Sequence, residues 1–77
     1  MTFLIARYDK DADFTDDRWD ITYVGAPALR EIFAVAPEGD IGDVYAITRE
    51  HAAALTKLTG ITFDLAAYEY FLEPEAS

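Results

Sequence analysis

Two spacings of apolar residues take turns along this chain. Thr2 to Tyr8 is almost unbrokenly apolar and carries the strand formers Phe3, Ile5 and Tyr8, which predicts a first strand. Trp19-Asp20-Ile21-Thr22-Tyr23-Val24 alternates with period two and predicts a second. The polar run between them, rich in Asp residues that bond to nearby backbone amides, reads as a long hairpin loop. The spacing then changes to that of a helix. Gly25 and Pro27 open it, and Leu29, Ile32, Phe33 and Ala36 give the i, i+3, i+4, i+7 stripe.

Pro37 to Gly42 is a loop by composition, followed by a short strand over Asp43 to Ile47 with Val44, Tyr45 and Ile47. A second helix is predicted from Thr48 as N-cap to Gly60 as the left-handed C-terminal residue. Glu50 suits its positive end and Lys57 its negative end, and Leu55 and Leu58 form its buried face. From Ala67 to Glu73 the alternation predicts a last strand ended by Pro74; a helix capped by Asp64 is the competing reading. The order β-β-α-β-α-β implies a single α+β domain with two helices on one face of a mainly antiparallel sheet.

Charge changes the picture more than composition does. The 77 residues hold 15 acids against 6 Lys and Arg, a net charge of −9, yet 52% of positions are apolar, which marks a folded body and not a solvating acidic tail. Residues 1–25, 26–47 and 48–77 each carry a net charge of −3, so the acidity is spread over the whole domain. Such a field disfavours direct contact with nucleic acid or anionic lipid and favours a basic partner. The chain has no Cys, which fits a reducing cytoplasm and removes thiolate chemistry. Its first apolar run ends at Arg7, too short for a signal-peptide core or a membrane span.

Most catalytic chemistries find no residues to carry them. The only Ser is Ser77, which leaves no nucleophilic triad, and the four glycines match neither a dinucleotide fingerprint nor a phosphate loop. A lone His51 at the start of the second helix reads as a surface or capping group, not a general base. Asp9, Asp11, Asp13 and Asp20 fall at positions 1, 3, 5 and 12 of a calcium loop. Phe14 nevertheless stands where the turn needs Gly, Asp20 is short for the bidentate Glu, and strands flank the loop. Acids are too numerous for any one carboxylate pair to stand out as hydrolytic. No cofactor, metal or enzymatic activity is expected.

Asp43-Val44-Tyr45-x-Ile47-Thr48, Ala52-Ala53-Ala54-Leu55, Gly60-Ile61, Phe63-Asp64-Leu65 and Tyr68 to Glu73 together resemble a family of small bacterial proteins without an assigned activity. Ile32 to Val35 and the Tyr8-Asp9-Lys10 hairpin start fit as well. The resemblance covers about 60 residues and implies a bacterial or phage origin and the α+β fold. In general profile (short, acidic, Cys-free) the chain also looks like anti-CRISPR proteins, a likeness of kind and not of motif.

These readings lead to a small acidic protein-binding inhibitor that mimics DNA in the basic groove of a target such as a CRISPR surveillance complex, as a monomer or as a dimer through the edge of its last strand. The expected contacts are Asp9, Asp11, Asp13, Asp16 and Asp17, then Glu38, Asp40 and Asp43, with Tyr68 and Tyr70 as aromatic anchors. The alternatives are an immunity protein for a basic nuclease toxin, an acidic domain of housekeeping role, or a metal-dependent module.

Overall fold

β1 (Thr2–Asp9) pairs antiparallel with β2 (Asp17–Asp20) on one side and with the last strand on the other. A computed structural model describes residues 1–11, 17–35 and 42–76. In chain order the further elements are a 3-10 turn (Thr22–Val24), α1 (Ala26–Ile32), β3 (Tyr45–Ala46), α2 (Arg49–Thr59) and β4 (Tyr68–Glu75). The expected order β-β-α-β-α-β is the observed one, and the four strands form one antiparallel sheet in the order β2-β1-β4-β3.

Register places Trp19, Ile5, Leu72 and Tyr45 in one row across the sheet, with Phe3 and Tyr70 on the same face. That face meets Ile21, Leu29, Phe33, Ala52 and Leu55 in a single buried cluster. Ile5, Ile21, Leu29, Leu55 and Leu72 are fully buried. At about 25 cal/mol per Å2 of apolar surface, this layer is the main source of stability in a chain without disulfides.

The predicted second strand stops early. Asp20 Oδ1 accepts from both the backbone N–H (2.9 Å) and the hydroxyl (2.6 Å) of Thr22. This local bonding turns the chain into the 3-10 segment, sends Ile21 into the core and leaves Tyr23 exposed.

The first helix also ends sooner than its stripe suggests. The Val35 amide bonds to the Arg30 carbonyl (2.8 Å) and the Ala34 amide to that of Glu31 (3.3 Å), with Ala34 in the left-handed region at φ 57°. This is a Schellman ending with an alanine in the place that favours glycine. Leu29 and Phe33 of the stripe are buried, Ile32 is half-buried, and Ala36 lies outside the described residues.

α2 has the predicted ends. The Thr48 hydroxyl accepts from the His51 amide (3.4 Å) while His51 Nδ1 accepts from the Thr48 amide (3.2 Å), and Gly60 takes φ 76°. His51 is thus a capping group, as expected, and its ring lies 4.3 Å from that of Phe33. The buried side of α2 is Ala52 and Leu55; Leu58, expected there, is half exposed because the core lies toward Ala52, Leu55 and Thr59.

Before β4 the competing helix does not form. Asp64 instead closes a turn through Ala67 N–H to Oδ1 (3.3 Å) and Tyr68 N–H to its carbonyl (3.0 Å). Pro74 does not end the strand, which runs to Glu75 with Pro74 opposite Phe3. Tyr70 turns its backbone carbonyl toward the β3 side, where Ile47 N–H donates to it, and Pro74, four residues on, turns its nitrogen the same way. β3 is only two residues long, so the missing donor faces no partner. The last strand is central rather than an edge. The edges are β2 and β3, which removes the structural basis for a dimer through β4.

Candidate interaction face

Both helices lie on one side of the sheet, so the alternate residues of the same strands face outward without a helix over them. Across this open face run the rows Asp20, Leu4, Glu73 and Arg18, Ala6, Phe71, with Tyr8 opposite Glu69. Ala6 is fully buried all the same. Tyr8 explains it: its hydroxyl donates to Glu73 Oε2 at 2.8 Å, two rows away, so its side chain must lie across the Ala6 row. The Tyr8 ring meets Phe71 edge-on, with centroids 5.5 Å apart and planes at 78°.

Glu73 is held from two sides, by Tyr8 and by Arg18, whose Nε lies 4.0 Å from Oε1. The hydrogen bond to Glu73, then desolvation and the carboxylate charge, raise the Tyr8 phenol above its ordinary pKa. Beside this pair the surface dips into a depression of about 400 Å3. It is lined by the side chains of the open face, Tyr8, Phe71, Glu69 and Glu73, together with Lys10 and Val44, and it is bordered by Asp9 at the end of β1. The Lys10 ammonium donates to the Leu65 carbonyl at 2.9 Å, which ties the rim to the segment before β4. Aromatic contact area ringed by carboxylates suits a cationic side chain on a partner.

The residues expected from sequence separate into three groups. Asp9, Asp11 and Asp43 are exposed; Asp9 borders the depression, Asp11 donates its amide to Asp9 Oδ1 (2.9 Å), and Asp43 adjoins Val44. Asp17, Tyr68 and Tyr70 are on the helix-covered face. There the Arg7 guanidinium is bonded to Asp17 and lies 4.2 Å from the Tyr68 ring centroid and 5.8 Å from that of Trp19. Tyr70 is only 3% exposed, and its hydroxyl accepts from the Asp64 amide at 3.1 Å. It is therefore a core residue and not a surface anchor. Asp13, Asp16, Glu38 and Asp40 lie outside the described residues.

Sequence reasoning missed Tyr8, Glu69, Phe71 and Glu73. The signal was the period-two pattern of Tyr68 to Glu73: choosing its tyrosines selects the covered face, and residues 69, 71 and 73 are the other one. The calcium geometry fails in three dimensions as it did in spacing. Asp20 pairs with Leu4, five positions along β1 from Asp9, or about 17 Å. Among the described residues, no group of three His, Cys, Asp or Glu is placed to hold a metal, and no helix is long and apolar enough to cross a membrane.

Residues 2–73 match the family described as "Domain of unknown function (DUF7683)". The chain belongs to this family. The match runs from β1 through Glu73 and so takes in the open-face rows of β2, β1 and β4. It agrees with the expected membership in a family without an assigned activity; the likeness to anti-CRISPR proteins remains a matter of profile. No curated protein and no solved structure matches the chain.

Proposed function

We propose that this protein is a small, non-enzymatic inhibitor that sets its open sheet face against a basic protein groove otherwise occupied by nucleic acid. The observation that carries the reading is the uncovered face itself: the rings of Tyr8 and Phe71 with the carboxylates of Glu69 and Glu73 beside them, on a body of net charge −9. Duplex DNA presents one charge per roughly 1.7 Å of axis, and its binders line their grooves with Lys and Arg. An acidic body is steered to such a groove quickly, and there its rings supply the short-range contact that charge alone lacks. A CRISPR surveillance complex is the first target to test.

The test is capture by the tagged protein from bacterial lysate, including a strain with an active CRISPR system, read by mass spectrometry. A basic nucleic-acid-binding protein should be retained, released as salt rises, and displaced by duplex DNA. The double variant Glu69→Lys with Glu73→Lys should weaken capture by at least about tenfold, or 1.4 kcal/mol. Retention of a neutral partner insensitive to salt and to this variant would defeat the reading. Recovery of a basic nuclease whose toxicity the protein suppresses would make it an immunity protein instead.

A further inference from the structure

The opposite side of the molecule carries a second surface, independent of the sheet face. Between α1 and α2 runs a groove of about 700 Å3 whose walls include Ile32, Ala53, Ala54 and Leu58. Leu58 is 51% exposed, whereas Leu55, one turn earlier on the same helix, is fully buried. Glu50 and Lys57 open on the same groove. Among the described residues, neither makes an ion pair.

The order of these residues along α2 is self-complementary. Glu50 and Lys57 stand two turns apart, with Ala53 and Ala54 midway between them. A two-fold axis passing between Ala53 and Ala54 would set α2 antiparallel to its copy. Glu50 then meets the partner's Lys57, and Lys57 meets the partner's Glu50. An isologous contact requires this relation, in which each charge finds its opposite under the same operation. Small side chains at the crossing point allow helix axes to approach to the short end of the usual 8–10 Å.

We infer that the groove between α1 and α2 is a homodimer contact, occupied by α2 of a second copy of this chain. The contact helix is about 17 Å long, so the interface is small and the association weak. The two acidic bodies repel one another, but beyond about 8 Å that repulsion is screened at physiological salt, whereas the paired charges are in contact. Because the helices lie on one side of the sheet, the dimer leaves both open faces outward. It would present two acidic surfaces at once to a partner with two basic sites.

Sedimentation equilibrium of the full chain from about 10 µM to 1 mM at 0.15 M salt tests this, with helicity and melting checked by circular dichroism. Dimer should accumulate across that range, as expected of a small interface. Glu50→Lys and Lys57→Glu should each abolish it, and the two together should restore it. The first single change moves the net charge toward zero and the second away from it, so a loss in both cannot come from overall repulsion. Ala53→Glu at the crossing point should also give monomer. A wild-type chain monomeric at 1 mM overturns the inference, as does a dimer that survives both single reversals or one that the double reversal fails to restore.

Discussion

The two faces of the sheet are made from the same strands, and adjacent residues end in different environments. Leu72 is fully buried beneath the helices, while Phe71, its neighbour, lies half-buried on the side with no helix over it. On the covered face, apolar side chains close on each other and the Arg7 guanidinium, paired with Asp17, is stacked on Tyr68. On the open face a tyrosine does a helix's work: Tyr8 lies over Ala6 and anchors its hydroxyl on Glu73. The difference teaches that burial on this molecule does not by itself mark the core. Ile5 and Ala6 are equally inaccessible, yet Ile5 lies in the layer packed beneath the helices and Ala6 on the face that no helix covers.

Adjacent truncations should separate the faces most sharply. Leu72→Ala should destabilise the protein by about 2–5 kcal/mol in urea unfolding, the range for a fully buried leucine, whereas Phe71→Ala should cost less than half as much. Equal losses would mean that the open face is packed as tightly as the covered one.

Removing the tether is a smaller perturbation. Tyr8→Phe should cost about 1–2 kcal/mol through the lost bond to Glu73. In the wild type, the raised phenol pKa means that the folded state holds this proton more tightly than the unfolded chain. The stabilisation is complete below the ordinary value near pH 10 and is lost as pH rises through the folded value. Ultraviolet titration should show a late-ionising tyrosine that Glu73→Ala brings back toward its ordinary value. A tyrosine titration that is the same in the wild type and in Glu73→Ala would show that the Tyr8 strap is not formed.

At the far end of the open face, Asp20 is held below its ordinary pKa by its bonds from the Thr22 hydroxyl and then the Thr22 amide. Its contribution to stability is present above the unfolded value and fades as pH falls through the folded one. Thr22→Val should move the Asp20 carboxyl, followed by NMR, upward toward its ordinary value. The same change removes the acceptor for the Phe3 amide (3.0 Å), so exchange at Phe3 should quicken. The smallest effects belong to the helix ends. Gly60→Ala should cost about 1 kcal/mol, since nothing crowds the added Cβ and the penalty is the left-handed backbone alone. Ala34→Gly should be neutral or stabilising by a few tenths, as relief of the same strain offsets the added chain entropy. Thermal melts measure both.

Sequence alone determined the parts of this fold that depend on local rules. The strand at Thr2, the Thr48 cap with Gly60 at the other end of α2, the long hairpin and the element order follow from spacing and from what each terminus must bond. It failed where a side chain bonds its own backbone. Asp20 and Thr22 broke an alternating strand, and Pro74 stayed inside one because the neighbouring strand is only two residues long. It also failed on faces. Period two says that residues 69, 71 and 73 share a side, but only the position of the helices decides which side is covered. That decision made Tyr70 core and left Glu69, Phe71 and Glu73 to the surface. Net charge was likewise fixed by composition, whereas the gathering of Glu69 and Glu73 beside the rings of Tyr8 and Phe71 needed β1 and β4, some sixty residues apart in sequence, to pair. Spacing along a chain constrains neighbours on one element; which acids stand together is set by the long-range pairing that closes the sheet.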